Sequence, residues 1–423
     1  MVKLLIIADD FTGALDTAVQ FASCGAITRV VMDADYTFEN MDQAIEVLVI
    51  NAETRHLQSD QAYEVVYKIV DRACKHEIAY LFKKTDSALR GNIGSELTAM
   101  LEAAKGSHLH FIPALPRLNR ITKKGIHYID DVLVHQSVFG KDPFEPVTNS
   151  SVSEMISMQS QMPVNVVENV DQIVPKGEPS IIVYDAETDK ALQEIAEKLY
   201  KRDELHLMAG CAGFASVLPK ILNLSGKVKP ISKNKSRFLV VCGSVNPITR
   251  AQLDYAEQKG FHRIRLSAEQ KLSEGYLETE QGKRAFESWK AICFNNPKCI
   301  IDSNDVLDET RTLDYAIQNN IALDEVRLRI TKTLGRVAKM LVSEGLESTI
   351  MLTGGDTLLG FMNQVQISEI TPLYEIEPGT VLSNIQIKEK QYEILSKSGG
   401  FGDEQLLVNL AQTLIEEIKE AAV

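Results

Sequence analysis

What the chain lacks narrows its function first. Its six cysteines, at positions 24, 74, 211, 242, 293 and 299, form no Cys-x-x-Cys pair. Neither a zinc ribbon nor a dithiol redox motif is therefore available, and they read as reduced residues of a cytoplasmic protein. Cys293 and Cys299 have no histidine or further cysteine close by in sequence, which leaves them short of a zinc-ligand set. No apolar run approaches the length of a membrane span, and the opening MVKLLIIADD lacks the shape of a signal peptide. A surplus of positive charge is missing as well. The formal charge of −13 argues against a general nucleic-acid binder, yet leaves room for a small anion held by a local basic patch. The chain contains no repeat and no low-complexity segment. It also has neither the phosphate-loop pattern Gly-x-x-x-x-Gly-Lys-Ser/Thr nor the dinucleotide pattern Gly-x-Gly-x-x-Gly, which disfavours a dehydrogenase.

What is present suits a two-domain α/β protein. The 423 residues, 44% hydrophobic and 24% charged, suffice for two cores of ordinary size. Strand-like runs at 2–7, 46–51, 78–82, 109–112 and 181–184 alternate with helical patterns at 58–75, 94–105 and 188–201. Residues 126–139 read as a hairpin or an irregular excursion. Residues 222–237 carry five basic side chains, no acid and no periodicity, which reads as a linker. The expected domains are 1–225 and 236–423, with a cleft between them. The second begins with a strand at 236–244 and a helix from Thr249. A strand at 291–294, a helix at 323–343, a strand at 349–352 and a closing helix from Asp403 to about Ala421 follow.

Several strand ends carry polar groups, as expected where open α/β sheets bind ligands. The stretch LLIIADDFTGALDTA ends a strand on Asp9-Asp10, and Thr12 is placed to cap the following helix. Asp9 can be occupied by loop amides while Asp10 lies one residue further into the turn. INAETRH presents Asn51 and Arg55. LFKKTDSALRGN ends a strand on Lys83-Lys84 and then offers Asp86, Ser87 and Arg90. Arg90 suits a carboxylate because a guanidinium donates two parallel hydrogen bonds, and Asp86 can orient it or accept from a substrate hydroxyl. The loop 113–127 gathers Arg117, Arg120, Lys123 and Lys124 without an acid, a local reversal of charge able to hold an anion.

Three glycine turns mark the second half: Gly243-Ser244, Gly354-Gly355 and Gly399-Gly400 with Gly402. Each stands before a helical segment, where backbone amides can cradle a phosphate. Lys397 is close enough in sequence to the last of them to neutralise an oxygen.

These stretches together resemble the four-carbon acid sugar kinases, which include 3-oxo-tetronate 4-kinases and D-threonate or D-erythronate kinases. The resemblance runs in order through ADDFTGALDTA, KKTDSALRGN, PALPRLNRITKKGIHYIDDVLV, KDPF, AGCAGFA, GSVNPITRAQL, GGDT, EPGT and KSGGFG. It implies an amino-terminal domain for the sugar acid and a carboxy-terminal domain for ATP, with phosphorylation of the 4-hydroxyl. On that reading Asp9, Asp10, Arg55, Lys84, Asp86, Arg90 and Arg120 serve the acid, with Asp10 favoured over Asp86 for handling the hydroxyl proton. Ser244, Gly354, Gly355, Asp356, Thr357, Lys397, Gly399 and Gly400 serve the nucleotide. Magnesium is expected chiefly on phosphate oxygens, with Asp356 the candidate protein ligand. The partners implied are a small sugar acid and ATP, with no nucleic acid and no membrane; homo-oligomerisation is left open. Two departures stand out: Asn119 precedes Arg120 where the family has glycine, and Cys211 stands where serine is common. A non-catalytic sensor retaining the fold is the alternative, separated from a kinase by acid-dependent ATP turnover.

Overall fold

LLIIA is apolar at every position, a composition that suits a strand covered on both faces. In the computed structural model it forms strand β1 (Leu4–Ala8), buried throughout. The structure describes residues 2–39, 41–142, 145–172, 177–227, 236–305 and 310–415. The chain divides into two units, Met1–Lys229 and Pro230–Val423. Among the described residues no helix is long and apolar enough to cross a membrane.

In the first unit β1 is joined by β2 (Thr28–Val31), β3 (Val47–Asn51), β4 (Tyr80–Lys84) and β5 (His108–Ile112). A three-stranded antiparallel excursion follows, β6 (Arg120–Lys123), β7 (Ile126–Ile129) and β8 (Val132–Leu133). Then come β9 (Val164–Val167), β10 (Ser180–Tyr184) and β11 (Leu207–Gly210). The main sheet runs β2-β3-β1-β4-β11-β5-β10-β9, and its pairs are parallel. Register aligns the carboxyl ends, because Ala8 faces both Asn51 and Lys84, and Gly210 faces both Lys84 and Ile112. The chain leaves β1 toward β2 and β3 but leaves β4 toward β5. The strand order therefore reverses between these neighbours, where ligands collect in such sheets. Helices Ser59–Cys74 and Ile93–Ala103 pack on one face against Leu5, Ile7, Leu48, Ile50 and Leu81. On the other face Phe214 stacks on Phe82 at 6.4 Å between centroids.

The second unit contains β12 (Phe238–Cys242), β13 (His262–Arg265), β14 (Lys298–Asp302), β15 (Thr349–Thr353), β16 (Glu369–Glu377), β17 (Thr380–Ile387) and β18 (Lys390–Lys397). Their order is β13-β14-β12-β15-β18-β17-β16, parallel as far as β18 and antiparallel beyond it. Cys242 faces Asp302 and Thr353, and Thr353 faces Lys397, so the three glycine turns leave one edge together.

Four expectations change. The helix Phe11–Ala22 is capped by Asp10, whose Oδ1 accepts from Gly13 N at 2.9 Å, and not by Thr12. Helix Pro247–Gln258 is capped in the same way by Asn246 instead of Thr249. Residues 291–294 end the helix Glu280–Asn295, because Phe286, Trp289 and Cys293 share its buried face; the strand is β14, immediately after. The last helix spans Leu406–Leu414, and 416–421 lie outside the described residues, as do 228–235 of the expected linker.

The helix Gly355–Val365 is held against the long helix Leu323–Ser343 by two glycines. A Cβ on Gly335 would sit 2.5 Å from the carbonyl carbon of Gly360, and one on Gly360 would sit 2.6 Å from Thr331. Backbone meets backbone there, which fixes the turn at Gly354. Gly335→Ala gains helix propensity but must separate the helices. It should lower stability by about 1–3 kcal/mol, the usual range for overpacking. Urea unfolding checks this, and an unchanged midpoint would mean that the crossing is looser than drawn.

Candidate functional sites at the two sheet edges

At the first edge a single guanidinium gathers the carboxylates. Arg55 Nε donates to Asp9 Oδ2 at 2.7 Å, and its two terminal nitrogens bind Asp10 at 2.8 and 2.9 Å. Asp86 lies 3.9 Å from the same group. The backbone delivers Arg55 there, because its N–H donates to Asp9 O at 3.2 Å and Asn92 Nδ2 holds the Thr54 and Leu57 carbonyls at 2.9 Å. Gly91, at φ +87°, leaves space for the Arg55 stem, since a Cβ there would lie 3.0 Å from Arg55 Cγ. Burial pushes the Asp9 carboxyl up, but Arg55, Lys84 and Lys83 outweigh it and hold the group below its usual value. Asp86 is held well below the usual carboxylate range, with burial overcome by Arg90 and Arg55.

Arg90 is already committed. It forks onto Asp86 at 2.9 and 3.1 Å and reaches Asp142 at 3.1 Å. Asp86 orients it, as the shared turn suggested, and Asp142 occupies a further donor. Arg120 of the basic loop turns toward this cluster. It bonds Ser87 Oγ, and both it and Arg90 lie over the Phe139 ring at 5.1 and 5.2 Å. Lys123 pairs instead with exposed Glu187 at 3.0 Å. Asn119 takes φ +52°, a left-handed backbone that asparagine tolerates, and so substitutes for the family's glycine. His127, which sequence reading missed, holds Ser87 O and Thr122 Oγ1 at 3.0 Å each, and burial brings its pKa down to about 4.

The adjacent lysines of β4 part company. Lys83 is fully buried and pairs with Glu96 at 3.0 Å. Lys84 is 5% exposed, and its ammonium has no hydrogen bond or ion pair among the described residues. It lies at the start of the helix Phe11–Ala22, beside Asp10. A Cβ on Gly13 would overlap Asp10 Oδ1 and sit 2.6 Å from Lys84 Nζ. Positive charge, a helix N-terminus and the partly exposed Asp10 carboxylate thus meet at the point where strand order reverses.

At the second edge the three turns are bonded to one another. Gly243 N donates to Thr357 Oγ1 at 3.2 Å, Gly354 N to Lys397 O at 2.9 Å, and Thr249 Oγ1 to Gly399 O at 2.7 Å. Gly354 has φ +93°, and a Cβ on Gly399 would lie 3.0 Å from Ser244 Oγ, so neither position admits a side chain without cost. Gly400, between Gly399 and Phe401, is open toward Asn246. The geometry thus brings together Ser244, Gly354, Gly355, Thr357 and Gly399. It does not leave Lys397 open to a phosphate: Lys397 is fully buried, and its Nζ donates to Ser398 O, Gly399 O and Thr249 Oγ1 at 3.1–3.3 Å. It braces the turn. Asp356 is likewise committed, in a bidentate pair with Arg327 at 2.6 and 2.7 Å. No cluster of three or more metal-ligating side chains occurs among the described residues.

Burial brings the Lys397 ammonium from the usual 10.5 down to about 8. Between those values the unfolded chain keeps a proton that the folded chain has released. Unfolding then takes up a proton, and stability rises with pH across this window. Lys397→Met should flatten that rise. Unfolding free energies from pH 7 to 10.5 check it through the difference between wild type and variant; a constant difference rejects the shifted lysine.

Comparison with known proteins agrees with this division. Residues 4–218 match the model of a sugar-binding N-terminal domain, and residues 239–407 that of a nucleotide-binding C-terminal domain. A D-threonate kinase of Salmonella typhimurium is 30% identical over 98% of this chain and 99% of its own length. A D-erythronate kinase of Heliobacterium modesticaldum is 25% identical over 99% and 98%. A solved structure from Salmonella typhimurium LT2 superposes with a TM-score of 0.78 at 22% identity, over 98% of this chain and 100% of that one, and supports the fold. Matched from end to end by such relatives, the chain belongs to the four-carbon acid sugar kinases and is a phosphotransferase acting on an alcohol group.

Proposed function

We propose that the enzyme transfers the terminal phosphoryl group of ATP to the 4-hydroxyl of a four-carbon sugar acid such as threonate, erythronate or 3-oxo-tetronate. The observation that carries the acid half is Lys84, a nearly buried ammonium close enough to Asp9 to lower its pKa but with no hydrogen bond or ion pair among the described residues, set beside Asp10 at a helix N-terminus. An anion supplies the missing partner, and the helix end adds donors and positive potential. Asp10 lies next to that position and keeps part of its carboxylate exposed, so it can accept from the attacking hydroxyl. Phosphoryl transfer through a loose transition state asks more for alignment than for a strong base. Asp86 is less suited, being more deeply buried than Asp10.

For the nucleotide half, what supports the reading is that the braced glycine turns stand before helices at one sheet edge, a setting in which backbone amides can meet phosphate oxygens, and that Ser244 adds a hydroxyl. Magnesium bound with the nucleotide neutralises phosphate charge, and with Asp356 held by Arg327 its ligands are chiefly phosphate oxygens and water.

An assay of ATP consumption with threonate, erythronate and 3-oxo-tetronate tests the reading as a whole; ATP turnover indifferent to every acid would overturn it. Asp10→Asn should lower kcat by about 100-fold, at the lower end of general acid–base contributions, with smaller changes in ligand affinity. Near-normal turnover in that variant, with collapse in Asp86→Asn, would move the role to Asp86. Gly13→Ala should raise the KM for the acid, since the new methyl displaces the Lys84 ammonium, while ATP affinity in the free enzyme stays the same. If the acid KM is unmoved in a folded Gly13→Ala protein, Lys84 is not the anion's partner.

A further inference from the structure

The glycine turns occupy the β12, β15 and β18 side of the nucleotide unit's edge. On the other side of β12, strand β14 ends in a turn, Ser303-Asn304-Asp305, that no motif singled out. It leaves the sheet directly beside Gly243-Ser244, because Cys242 faces Asp302 and Ser303 N donates to Cys242 O at 3.1 Å. Neighbouring strands are about 4.8 Å apart, so the turn is one strand spacing from the phosphate cradle.

Unusual polar machinery holds this turn in place. Asp302, fully buried, pairs with Arg263 at 2.6 Å and accepts from Asn304 N at 2.8 Å. Lys271, also buried, donates to Ser303 O at 2.7 Å and to Asp305 Oδ1 at 3.0 Å. Two cations and two anions are desolvated or half-desolvated to fix three residues. Yet the side chain in the middle makes no bond. Asn304 is 7% exposed, and its Nδ2 is enclosed without a hydrogen-bond partner among the described residues. Buried amides are almost always paired, so an unpaired one on a rigid turn calls for an explanation.

We infer that Asn304 is the nucleoside contact of the nucleotide site, taking a ribose hydroxyl of the nucleotide whose phosphates lie in the glycine turns. This rests on the proposed nucleotide-binding role of that edge. The chemistry favours a neutral partner. The charges around the turn leave no positive surplus, since Arg263 pairs with Asp254 and Glu257 as well as Asp302, and Lys271 with Asp305, so it offers no net attraction to another phosphate. A carboxamide donates at one end and accepts at the other, and a hydroxyl can answer either. Along a nucleotide the ribose directly follows the phosphates, so a group on the strand beside their turns is placed to meet it. Lys271 acts on the ligand only through the turn and is a positioning residue.

Calorimetry with ATP, 2′-deoxy-ATP, 3′-deoxy-ATP and inorganic tripolyphosphate tests this on the full chain, with Asn304→Ala and the near-isosteric Asn304→Asp. Asn304→Ala should weaken ATP about five- to ten-fold, the effect of one lost hydrogen bond, and leave tripolyphosphate within about two-fold. One of the deoxy nucleotides should bind wild type as weakly as ATP binds the variant, and the variant should no longer distinguish the two. Because the amide is unpaired in the free enzyme, Asn304→Ala should not lower its melting temperature. A lowered melting temperature in both variants would reveal a structural role and overturn the inference. So would unchanged ATP affinity, or an equal loss for ATP and tripolyphosphate. Wild type that binds tripolyphosphate and ATP equally well overturns this inference alone; wild type that binds neither overturns the nucleotide reading along with it.

Discussion

The ion pairs of Arg55 are the constraint on which the first unit's sheet edge depends. Asp9 and Asp10 follow β1, Asp86 follows β4, and the guanidinium that reaches all three follows β3. Three separate strand ends are thereby tied at one point, with little solvent to share the work. Burying three carboxylates together is unfavourable unless a cation and several donors compensate, and losing one member of such a set typically costs about 3–5 kcal/mol. Asn92 and Gly91 serve the same end from behind, one by holding the Arg55 loop and the other by leaving room for the side chain. The cluster is thus a frame, and Lys84 is the group it leaves unpaired.

The second unit meets the same demand, rigid groups at an edge, with hardly any charge facing the ligand. Its turns are held by one another: Thr357 on Gly243, Gly354 on Lys397, Thr249 on Gly399. Lysine appears there as a brace beneath the turn, where it holds the carbonyl oxygens of Ser398 and Gly399. The difference suits the ligands proposed. A small acid with few atoms needs a charged partner at a fixed place, whereas a chain of phosphates is met by many weak donors along a helix end.

Much of this was legible in the chain. Apolar runs announced β1, β3, β4, β5 and β10, and the polar residues after them announced the edge. Shorter or less apolar strands escaped notice, among them β2, β9, β11 and β13, since four residues give too little pattern to separate strand from loop. The β16–β18 meander was missed as well, because its half-exposed residues do not form a continuous apolar run. Caps were misread twice for one reason: Asp10 and Asn246 cap a turn earlier than the threonines that follow, and sequence alone does not say where the first helical hydrogen bond falls. The pairings of Asp356 and Lys397 were hidden because Arg327 and Thr249 come from distant parts of the chain, whereas Arg90 and Asp86 share one turn and could be paired from sequence. Asn304 gave no signal at all, being noticeable only as a polar group with nothing to bind.

The division of labour between Lys83 and Lys84 carries a consequence for folding. Successive residues of a strand point to opposite faces, so one lysine goes down to Glu96 and the next goes up beside Gly13. A slip of β4 by one position would carry one lysine into the other's place and leave the remaining place to Phe82 or Thr85. Either slip costs one of the two places its ammonium, so the doubled lysine itself helps to hold the alignment. Its neighbours add to that, Leu81 in the core beneath and Phe82 against Phe214 above. Four consecutive side chains, two apolar and two charged, thus share the task of keeping one strand in step.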